Sequence, residues 1–317
     1  MRTAFLDYET VSNGDLDTAS LEQAAPGIRF HPLTTESQIA ERIADTQIVL
    51  INKVKLTRER LEGARRLELI AVAGTGTDGV DLTAAQERGI AVCNVRGYCT
   101  ASVVQHAWAL ILSLTQHLRQ YAQLATDGSW VENEKYAVLA HPIRELSGRA
   151  LGIVGWGTLG RGVAAVGEAF GMRPIICNRP GTPPVHGRVG LDELLATADV
   201  VSLHCPSTPA TRGLIGAREL GLMKPDALLI NTARGALVDG AALADALRAR
   251  RLGGAGIDVL PQEPPTDGDP LLAPDIPNLI VTPHIAWAAR EARQRCVDEM
   301  AANIADYRRG GRRGRVV

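Results

Sequence analysis

The stretch LGIVGWGTLGRGVAAVGEAFGM, residues 151–172, decides the fold of this chain. Its first four residues form an apolar run typical of a buried strand, and the residues after the glycines continue with helical character. Gly155, Gly157 and Gly160 stand between the two with the spacing GxGxxG. The first glycine permits a tight turn, the second lets a phosphate approach the backbone, and the third lets the helix pack closely on the strand. The sequence therefore predicts a strand–turn–helix unit that binds the pyrophosphate of a dinucleotide.

Short β-branched runs alternate with helical segments on both sides of this unit. The alternation predicts an α/β protein whose parallel sheets are covered by helices. Downstream of residue 149, six apolar runs predict one doubly wound sheet, and they end at Val154, Cys177, His204, Asn231, Asp258 and Thr282. Upstream, four runs predict a smaller doubly wound unit: Thr3–Leu6, Ile48–Ile51, Leu69–Ala73 and Ile90–Cys93.

Two helical segments connect these units. Residues 101–123 contain no glycine or proline, so they predict one unbroken crossover helix, on which His106 and His117 are packed or surface residues. Residues 286–307 are helical again and can pack back on the first unit. We therefore predict two doubly wound parallel-sheet domains, with a Rossmann cofactor domain at 101–285 inserted in a discontinuous flavodoxin-like substrate domain at 1–100 and 286–317. The run RRGGRRGR at 308–315 is expected to be a solvated tail.

The composition narrows the classes of partner. Lys and Arg number 34 against 35 Asp and Glu, and the formal charge of −1 gives no reason to expect nucleic acid or an anionic membrane. The five cysteines are odd in number and lack a CxxC pair, which predicts neither disulfides nor a metal site. The N-terminus lacks a signal-peptide pattern, and no apolar run approaches the roughly 20 residues that span a bilayer. We expect a soluble cytoplasmic protein with a small-molecule partner.

The strand after the glycine loop bears on the identity of the dinucleotide. Its end, PIICNRP at 174–180, lies where an acidic residue normally accepts hydrogen bonds from the adenosine ribose of NAD. Asn178 stands there instead, and the neighbouring Arg179 could pair with a 2′-phosphate. NAD and NADP both remain open, with NADP slightly favoured.

Polar residues at the carboxyl ends of strands are the first site candidates, because ligands of doubly wound sheets bind there. These residues are His204, Arg234, Asp258 and His284. The arginine fork could hold a carboxylate and polarise a ketone, while His284 could give a proton to the ketone oxygen as a hydride arrives. A nearby carboxylate would favour the imidazolium, and Glu263 in the proline-stiffened loop DVLPQEPP is the candidate. Asp258 is expected to bond the nicotinamide amide or shape the pocket, and His204 to line the cofactor cleft.

Several segments together resemble the D-isomer-specific 2-hydroxyacid dehydrogenase family over nearly the whole chain. In order they are AGTGTDGVDLTAAQERGIAV, GIVGWGTLGRGVA, VVSLHCPSTPATRGLI, MKPDALLINTARGALVD, GIDVLPQEPP and TPHIAW. The family's catalytic arginine, glutamate and histidine fall on Arg234, Glu263 and His284, at separations that look like the family's. Members with glutamine in place of Glu263 act on formate, so the resemblance disfavours that activity.

The resemblance implies further contacts and an assembly. The backbone of Gly74, Thr75, Gly76 and Thr77 is expected to bind the substrate carboxylate, and the family usually forms homodimers through the cofactor domain. The predicted cofactor contacts are Gly155, Trp156, Gly157, Thr158, Leu159, Gly160, Asn178, Arg179, His204, Cys205, Pro206, Thr211, Thr232, Ala233, Arg234, Asp258 and His284.

Three segments resemble the glycerate dehydrogenase, or hydroxypyruvate reductase, branch of the family: INKV at 51–54, GYCTASVVQH at 97–106 and TPHIAWAAREARQR at 282–295. They imply substrate contacts from Trp287 and from Asn52 or Lys53. An ordinary surface position is an equally good interpretation of Lys53. Gln105 and Asn178 replace acidic residues that are commoner in the family. The second of these departures bears on the choice between NAD and NADP and not on the reaction.

Three hypotheses follow. The first is an enzyme that reduces hydroxypyruvate, or an analogue such as glyoxylate, to the D-hydroxy acid. The second is a dinucleotide-sensing binding protein, such as a co-repressor, which keeps the fold with little turnover, although the intact Arg234, Glu263 and His284 set argues against it. The third keeps the enzyme but changes the substrate to phosphoglycerate, lactate or an aromatic 2-hydroxy acid.

Overall fold

The computed structural model describes residues 1–133, 135–178, 182–183 and 185–317. The chain divides into two compact units, the first formed by Met1–Cys99 with Trp287–Val317 and the second by Thr100–Ala286. The boundaries predicted from the sequence lie one residue away at each junction. Within the described ranges, no helix is long and apolar enough to cross a membrane, and no group of three or more histidine, cysteine and acidic side chains is placed to hold a metal ion.

The first unit contains a five-stranded parallel sheet in the order β2-β1-β3-β4-β5, which is the predicted flavodoxin-like order. Sequence reasoning misses β2, because its two residues, an exposed arginine and a half-buried phenylalanine, form no apolar run. The strands are β1 Thr3–Phe5, β2 Arg29–Phe30, β3 Ile48–Ile51, β4 Leu69–Val72 and β5 Ala91–Cys93, and the helices among them are α1 Ala19–Ala24, α2 Glu36–Ala44, α3 Arg58–Gly63 and α4 Leu82–Glu87.

The second unit contains a six-stranded parallel sheet in the order β11-β10-β9-β8-β6-β7. All six predicted strands are present. They are β6 Ala150–Val154, β7 Arg173–Ile176, β8 Val200–Leu203, β9 Leu228–Asn231, β10 Gly254–Ile257 and β11 Leu279–Val281. The helices are α5 Thr100–Thr115, α6 Leu118–Thr126, α7 Ser129–Glu132, α8 Thr158–Ala169, α9 Leu191–Thr197, α10 Ala217–Leu222 and α11 Gly240–Arg248, and short 3-10 helices cover Tyr8–Thr10 in the first unit and Gly235–Leu237 and Pro270–Leu272 here.

The strand order of the second sheet places its ligand-binding edge. Val189 forms a single parallel bridge with Cys177 outside β7. With this bridge counted as a strand, the order is the Rossmann order with one more strand beside β10. From β6 the chain continues to β7 on one side, and it then crosses back to β8 on the other side of β6. The carboxyl ends of these strands therefore flank the topological switch point, where a dinucleotide binds.

The predicted unbroken helix over 101–123 is wrong, because α5 ends at Thr115 and α6 begins at Leu118. His117 lies between them in the left-handed region, with φ of +49°. Its ring stacks on His141 with centroids 5.4 Å apart, and the hydroxyl of Tyr121 on α6 donates to the carbonyl of His141 at 2.7 Å. These contacts with a distant segment redirect the chain at a position where no local residue predicts a break.

The C-terminal segment does not form the solvated tail that the sequence suggests. It follows helix α12, Arg290–Tyr307, which packs within the first unit. The amide of Val316 donates to the carbonyl of Val92 at 2.7 Å, and the amide of Asn94 donates to the carbonyl of Gly314 at 3.0 Å. The backbone therefore covers the open edge of β5, as edge strands require, while the arginine side chains of the segment remain largely exposed.

Gly314 tests this pairing. Its φ is +63°, and a Cβ there would lie 2.6 Å from Nδ2 of Asn303 and 2.8 Å from the carbonyl oxygen of Asn94. We expect Gly314→Ala to lower the free energy of unfolding by about 2–4 kcal/mol, from left-handed strain and overpacking together. Gly310→Ala is the matched control, because Gly310 has φ of +81° but open space around it, and it should cost about 1 kcal/mol. If urea unfolding shows the same loss of unfolding free energy in both variants, Gly314 is not closely packed against Asn303 and Asn94.

Candidate active site

The loop from Gly155 to Gly160 joins β6 to α8. Gly155 has φ of +109°, and a Cβ there would lie 2.5 Å from the backbone of His204, so no other residue fits. A Cβ on Gly160 would collide with the carbonyl of Gly155. Gly157 is different, since it is exposed and its surroundings are open. It is the N-cap of α8 and supplies no side-chain cap, so the first N–H groups of the helix, from Thr158 onward, are suited to an anion.

Three buried polar atoms follow neighbouring strands and have no hydrogen-bond partner among the described residues: Asn178 Oδ1, His204 Nδ1 and Thr232 Oγ1. They come after β7, β8 and β9, and the glycine loop follows β6 between the first two. Leaving one such atom unpaired costs about 1–3 kcal/mol, and four strands about 4.8 Å apart span about 14 Å. A row of unpaired groups beside a helix N-terminus fits an extended ligand with a phosphate and several polar groups. The residues present therefore fit a dinucleotide.

His204 and Cys205 are both neutral groups on this edge. Burial lowers the pKa of His204 to about 4, and its Nε2 lies 2.9 Å from the hydroxyl of Ser202. Burial raises the pKa of the Cys205 thiol. In the following loop, the hydroxyl of Thr211 donates to the carbonyl of Pro206 at 2.7 Å, which closes the loop. Direct cofactor contacts of these residues stay predictions.

Asn178 organises the loop after β7. Its Nδ2 donates to the carbonyls of Thr182 and Pro183, each at 3.2 Å. Its Oδ1 is one of the unpaired atoms above, so the amide offers an acceptor without a charge. Arg179, the second residue on which the cofactor preference depends, lies outside the described residues.

His284 and Glu263 form the central pair of the site. Nδ1 of His284 lies 2.5 Å from Oε2 of Glu263, and the amide of Leu260 donates to Oε1 at 2.9 Å. The carboxylate is therefore held on both sides. The side chains keep 28% and 29% of their surface exposed, so the pair is accessible to a small molecule. Because Nδ1 is bound to the carboxylate, Nε2 is the nitrogen suited to exchange a proton with a substrate.

Arg234 is presented by a loop that Asn231 and Gly235 shape. Nδ2 of Asn231 donates to the carbonyl of Arg234 at 2.9 Å, and its Oδ1 accepts the amide of Ala233 at 3.0 Å. Arg234 itself is half-buried in extended backbone. A Cβ on Gly235 would collide with the backbone between Leu260 and Pro261. The loop of Arg234 therefore packs directly on the loop that carries Glu263.

Asp258 is buried at the end of β10 and binds the segment that carries His284. The hydroxyl of Thr282 donates to Oδ1 at 2.5 Å, while the amides of Ile285 and Ala286 donate to Oδ1 and Oδ2 at 2.9 and 2.8 Å. Of the two roles expected for Asp258, these contacts support shaping the site. A bond to the nicotinamide amide stays a prediction.

Sequence reasoning missed the contribution of His106. It was expected only to be a packed or surface residue, yet its Nε2 lies 3.0 Å from Oγ1 of Thr282 and 3.5 Å from Oδ1 of Asp258. One sequence signal was available: His106 lies four residues after Ser102, so the two polar side chains share one face of the predicted helix. The role of Asn231 was missed as well, although this residue ends a predicted strand within the motif MKPDALLINTARGALVD.

The remaining substrate candidates lie in the first unit. Nδ2 of Asn52 donates to Thr10, at 2.9 Å to the hydroxyl and 3.1 Å to the carbonyl, and the amide of Lys53 donates to Oδ2 of Asp7 at 2.6 Å. Trp287 packs edge-to-face on Tyr98 with ring centroids 6.4 Å apart. These contacts explain how the residues are held, and their substrate roles stay predictions.

The loop of Gly74, Thr75 and Gly76 follows β4 in the same unit. The hydroxyl of Thr75 donates to the carbonyl of Val95 at 2.8 Å, and Nδ2 of Asn94 donates to the carbonyl of Thr75 at 2.7 Å. Gly74 and Gly76 are half-buried, and Thr75 is exposed. The loop is fixed by its neighbours, and its role in binding a carboxylate stays a prediction.

Comparison with known proteins identifies the family. The family model described as "D-isomer specific 2-hydroxyacid dehydrogenase, NAD binding domain" matches residues 108–286. The chain is 43% identical to the glycerate dehydrogenase of Methylorubrum extorquens over 273 residues, 86% of each protein, and 34% identical to the hydroxypyruvate reductase of Blautia hydrogenotrophica over 98% of each. The crystal structure of the TT0316 protein from Thermus thermophilus matches all of both chains with a TM-score of 0.88 and 34% identity. The chain belongs to the D-isomer-specific 2-hydroxyacid dehydrogenase family and is an oxidoreductase that acts on a CH–OH group.

Proposed function

We propose that this enzyme reduces hydroxypyruvate, or a close analogue such as glyoxylate, to D-glycerate or the corresponding hydroxy acid. The observation that carries the proposal is the 2.5 Å pair of His284 and Glu263, held beside the loop of Arg234 at the edge that fits a dinucleotide. The printed names of two relatives, a glycerate dehydrogenase and a hydroxypyruvate reductase, support this substrate class.

In this proposal His284 supplies the proton and Glu263 stabilises its charged form. A nicotinamide dinucleotide held by the glycine loop and by the unpaired groups of Asn178, His204 and Thr232 would supply the hydride. As the ketone is reduced, its oxygen gains a proton from Nε2 of His284, which leaves a neutral imidazole. The bond from Nδ1 to Glu263 orients the ring throughout. Because the pair is partly exposed, the ring can recover its proton from solvent.

Arg234 binds and polarises the substrate. Its guanidinium presents donors in a planar fork that matches a carboxylate and can also stabilise charge developing on a ketone oxygen. The half-buried position reduces competition from water, and Asn231 fixes the backbone from which the side chain extends. Arg234 thereby orients the ketone towards the proton donor.

Substitution of the two proposed catalytic residues tests the mechanism. We expect His284→Ala and Arg234→Ala each to lower kcat/KM for hydroxypyruvate by about 10²- to 10⁴-fold, because each removes a group that stabilises the transition state. Steady-state rates follow the absorbance of the reduced nicotinamide, and an unchanged midpoint of urea unfolding shows that each variant is folded. Arg251→Ala, at an exposed arginine, is the matched control.

The test extends to a panel of 2-keto acids with NADH and NADPH. Retention of wild-type kcat/KM by either catalytic variant for every acid would make the mechanism wrong. If the wild-type protein binds a dinucleotide but turns over none of the acids, the result favours the dinucleotide-sensor hypothesis instead.

Gly235 tests whether the close packing of the two loops matters for catalysis. In Gly235→Ala the new methyl group displaces the backbone at Leu260, whose amide holds Glu263. We expect kcat to fall by about 10- to 100-fold through misplacement of the carboxylate. Gly240→Ala is the control, since its Cβ would meet only ordinary contacts of 3.5 Å or more. Unchanged kcat in Gly235→Ala would refute this role of the glycine.

For the cofactor we propose NADP with a slight preference over NAD, on the basis of Asn178. Asn178→Asp places a carboxylate where it would repel a 2′-phosphate and accept ribose hydroxyls. We expect the ratio of kcat/KM with NADPH to that with NADH to fall by at least about tenfold. Asn178→Ala, which loses the loop hydrogen bonds without adding charge, separates the two effects. A ratio that does not respond to the aspartate would contradict the proposal.

The homodimer also remains a proposal. The second unit exposes several large apolar side chains along one segment, a kind of surface that favours association: Trp130, Val131, Tyr136 and Leu139.

A further inference from the structure

The helix α5 contacts the segment that carries His284 at two points. The hydroxyl of Ser102 donates to the carbonyl of Ala286 at 2.6 Å, and Nε2 of His106 lies 3.0 Å from Oγ1 of Thr282. Ser102 and His106 are four residues apart, so they share one face of the helix. The two contacts therefore grip the segment 282–286 at both of its ends.

The hydrogen bonds also fix which ring nitrogen of His106 carries a proton. Oδ1 and Oδ2 of Asp258 accept the amides of Ile285 and Ala286, so the carboxyl group acts as an acceptor in this cluster. The hydroxyl of Thr282, 2.5 Å from Oδ1, must therefore donate its one proton to Asp258. Its oxygen can then only accept from His106, so Nε2 of His106 is the protonated nitrogen.

The chain of bonds ends on the backbone next to His284. His284 has φ of +54°, a left-handed conformation that a residue other than glycine adopts only when its surroundings hold it. Asp258 provides that support through the amides of Ile285 and Ala286. The orientation of the His284 ring towards Glu263 depends on this backbone.

We propose that His106 is a positioning residue for His284 and acts through Thr282 and Asp258. The crossover helix is thereby part of the catalytic apparatus rather than only a connection. The kinetic consequence rests on the proposed proton transfer by His284, whereas the protonation of His106 and the conformation of 282–286 do not.

The first experiment is independent of any activity. Long-range ¹⁵N–¹H NMR of histidine-labelled protein, with the His106 signals identified by their loss in His106→Gln, reports the protonated nitrogen. We expect the Nε2–H tautomer in the wild type. We also expect the amide signals of His284, Ile285 and Ala286 to shift in His106→Leu and Thr282→Val. An unprotonated Nε2, or amide signals that do not move, would overturn the proposal.

The second experiment measures kcat, KM and dinucleotide affinity with hydroxypyruvate and NADPH. We expect His106→Leu and Thr282→Val to lower kcat by about 10- to 100-fold, with KM and dinucleotide affinity changed by less than about threefold, because orientation is lost while binding groups remain. His106→Gln and Thr282→Ser keep a donor and a hydroxyl, and they should recover at least about a third of kcat.

Thr115→Val is the matched control for Thr282→Val. It removes a buried hydroxyl from the same helix α5, where Oγ1 donates to the carbonyl of Ile111 and not to the segment 282–286. If Thr115→Val lowers kcat as much as Thr282→Val, the effect is one of packing and the proposal is overturned. The same conclusion follows if His106→Gln lowers kcat as much as His106→Leu. If the wild type reduces none of the 2-keto acids, the proposed function fails, and the NMR result still decides the arrangement inferred for His106.

Discussion

The buried carboxylate of Asp258 is the interaction on which the catalytic end of the second unit depends. It accepts hydrogen bonds from Thr282, Ile285 and Ala286, and these three residues surround His284 in the chain. Removing an ionised carboxylate from water costs several kcal/mol unless hydrogen bonds replace its hydration. The buried carboxylate therefore needs the hydrogen bonds of the segment 282–286, and the segment needs the carboxylate to keep its conformation. The left-handed backbone of His284, and with it the approach of the ring to Glu263, follows from this mutual dependence.

The first unit uses the same arrangement at the end of β1. Asp7 is buried and accepts the amides of Asn52, Lys53 and Val54, which follow the adjacent strand β3, at 2.9, 2.6 and 3.0 Å. Burial raises the pKa of Asp7 even though these amides oppose the change. Neighbouring parallel strands lie only about 5 Å apart. An aspartate side chain that follows one strand can therefore reach the loop that follows the adjacent strand and fix it. Asp7 and Asp258 have no predicted catalytic role themselves. Asp7 holds the predicted substrate contacts Asn52 and Lys53, and Asp258 holds the segment that carries His284.

The cofactor edge shows the opposite balance between stability and function. Asn178, His204 and Thr232 leave buried polar atoms unpaired in the described part of the chain, and each unpaired atom disfavours the folded state. The same atoms form a row next to the glycine loop, where a dinucleotide can satisfy them. Functional sites commonly accept such local costs because a ligand offsets them on binding. The neutral state of His204 belongs to this balance, since burial without a charged partner lowers its pKa.

The sequence by itself determined the elements whose signals are local. Apolar runs located every strand except β2, and the spacing of three glycines located the cofactor loop. Strand ends singled out Arg234 and His284, and the proline-stiffened loop made Glu263 the candidate partner. The family resemblance supported all three, and the structure brings them to loops of one unit. Only the tertiary structure decided the break of α5 against His141, the pairing of the C-terminal segment with β5, the packing of Gly235 on Leu260, and the contact of His106 with Thr282. The reason is physical: periodicity and motif spacing report what a segment needs from its own residues, whereas these features depend on which distant segment arrives beside it.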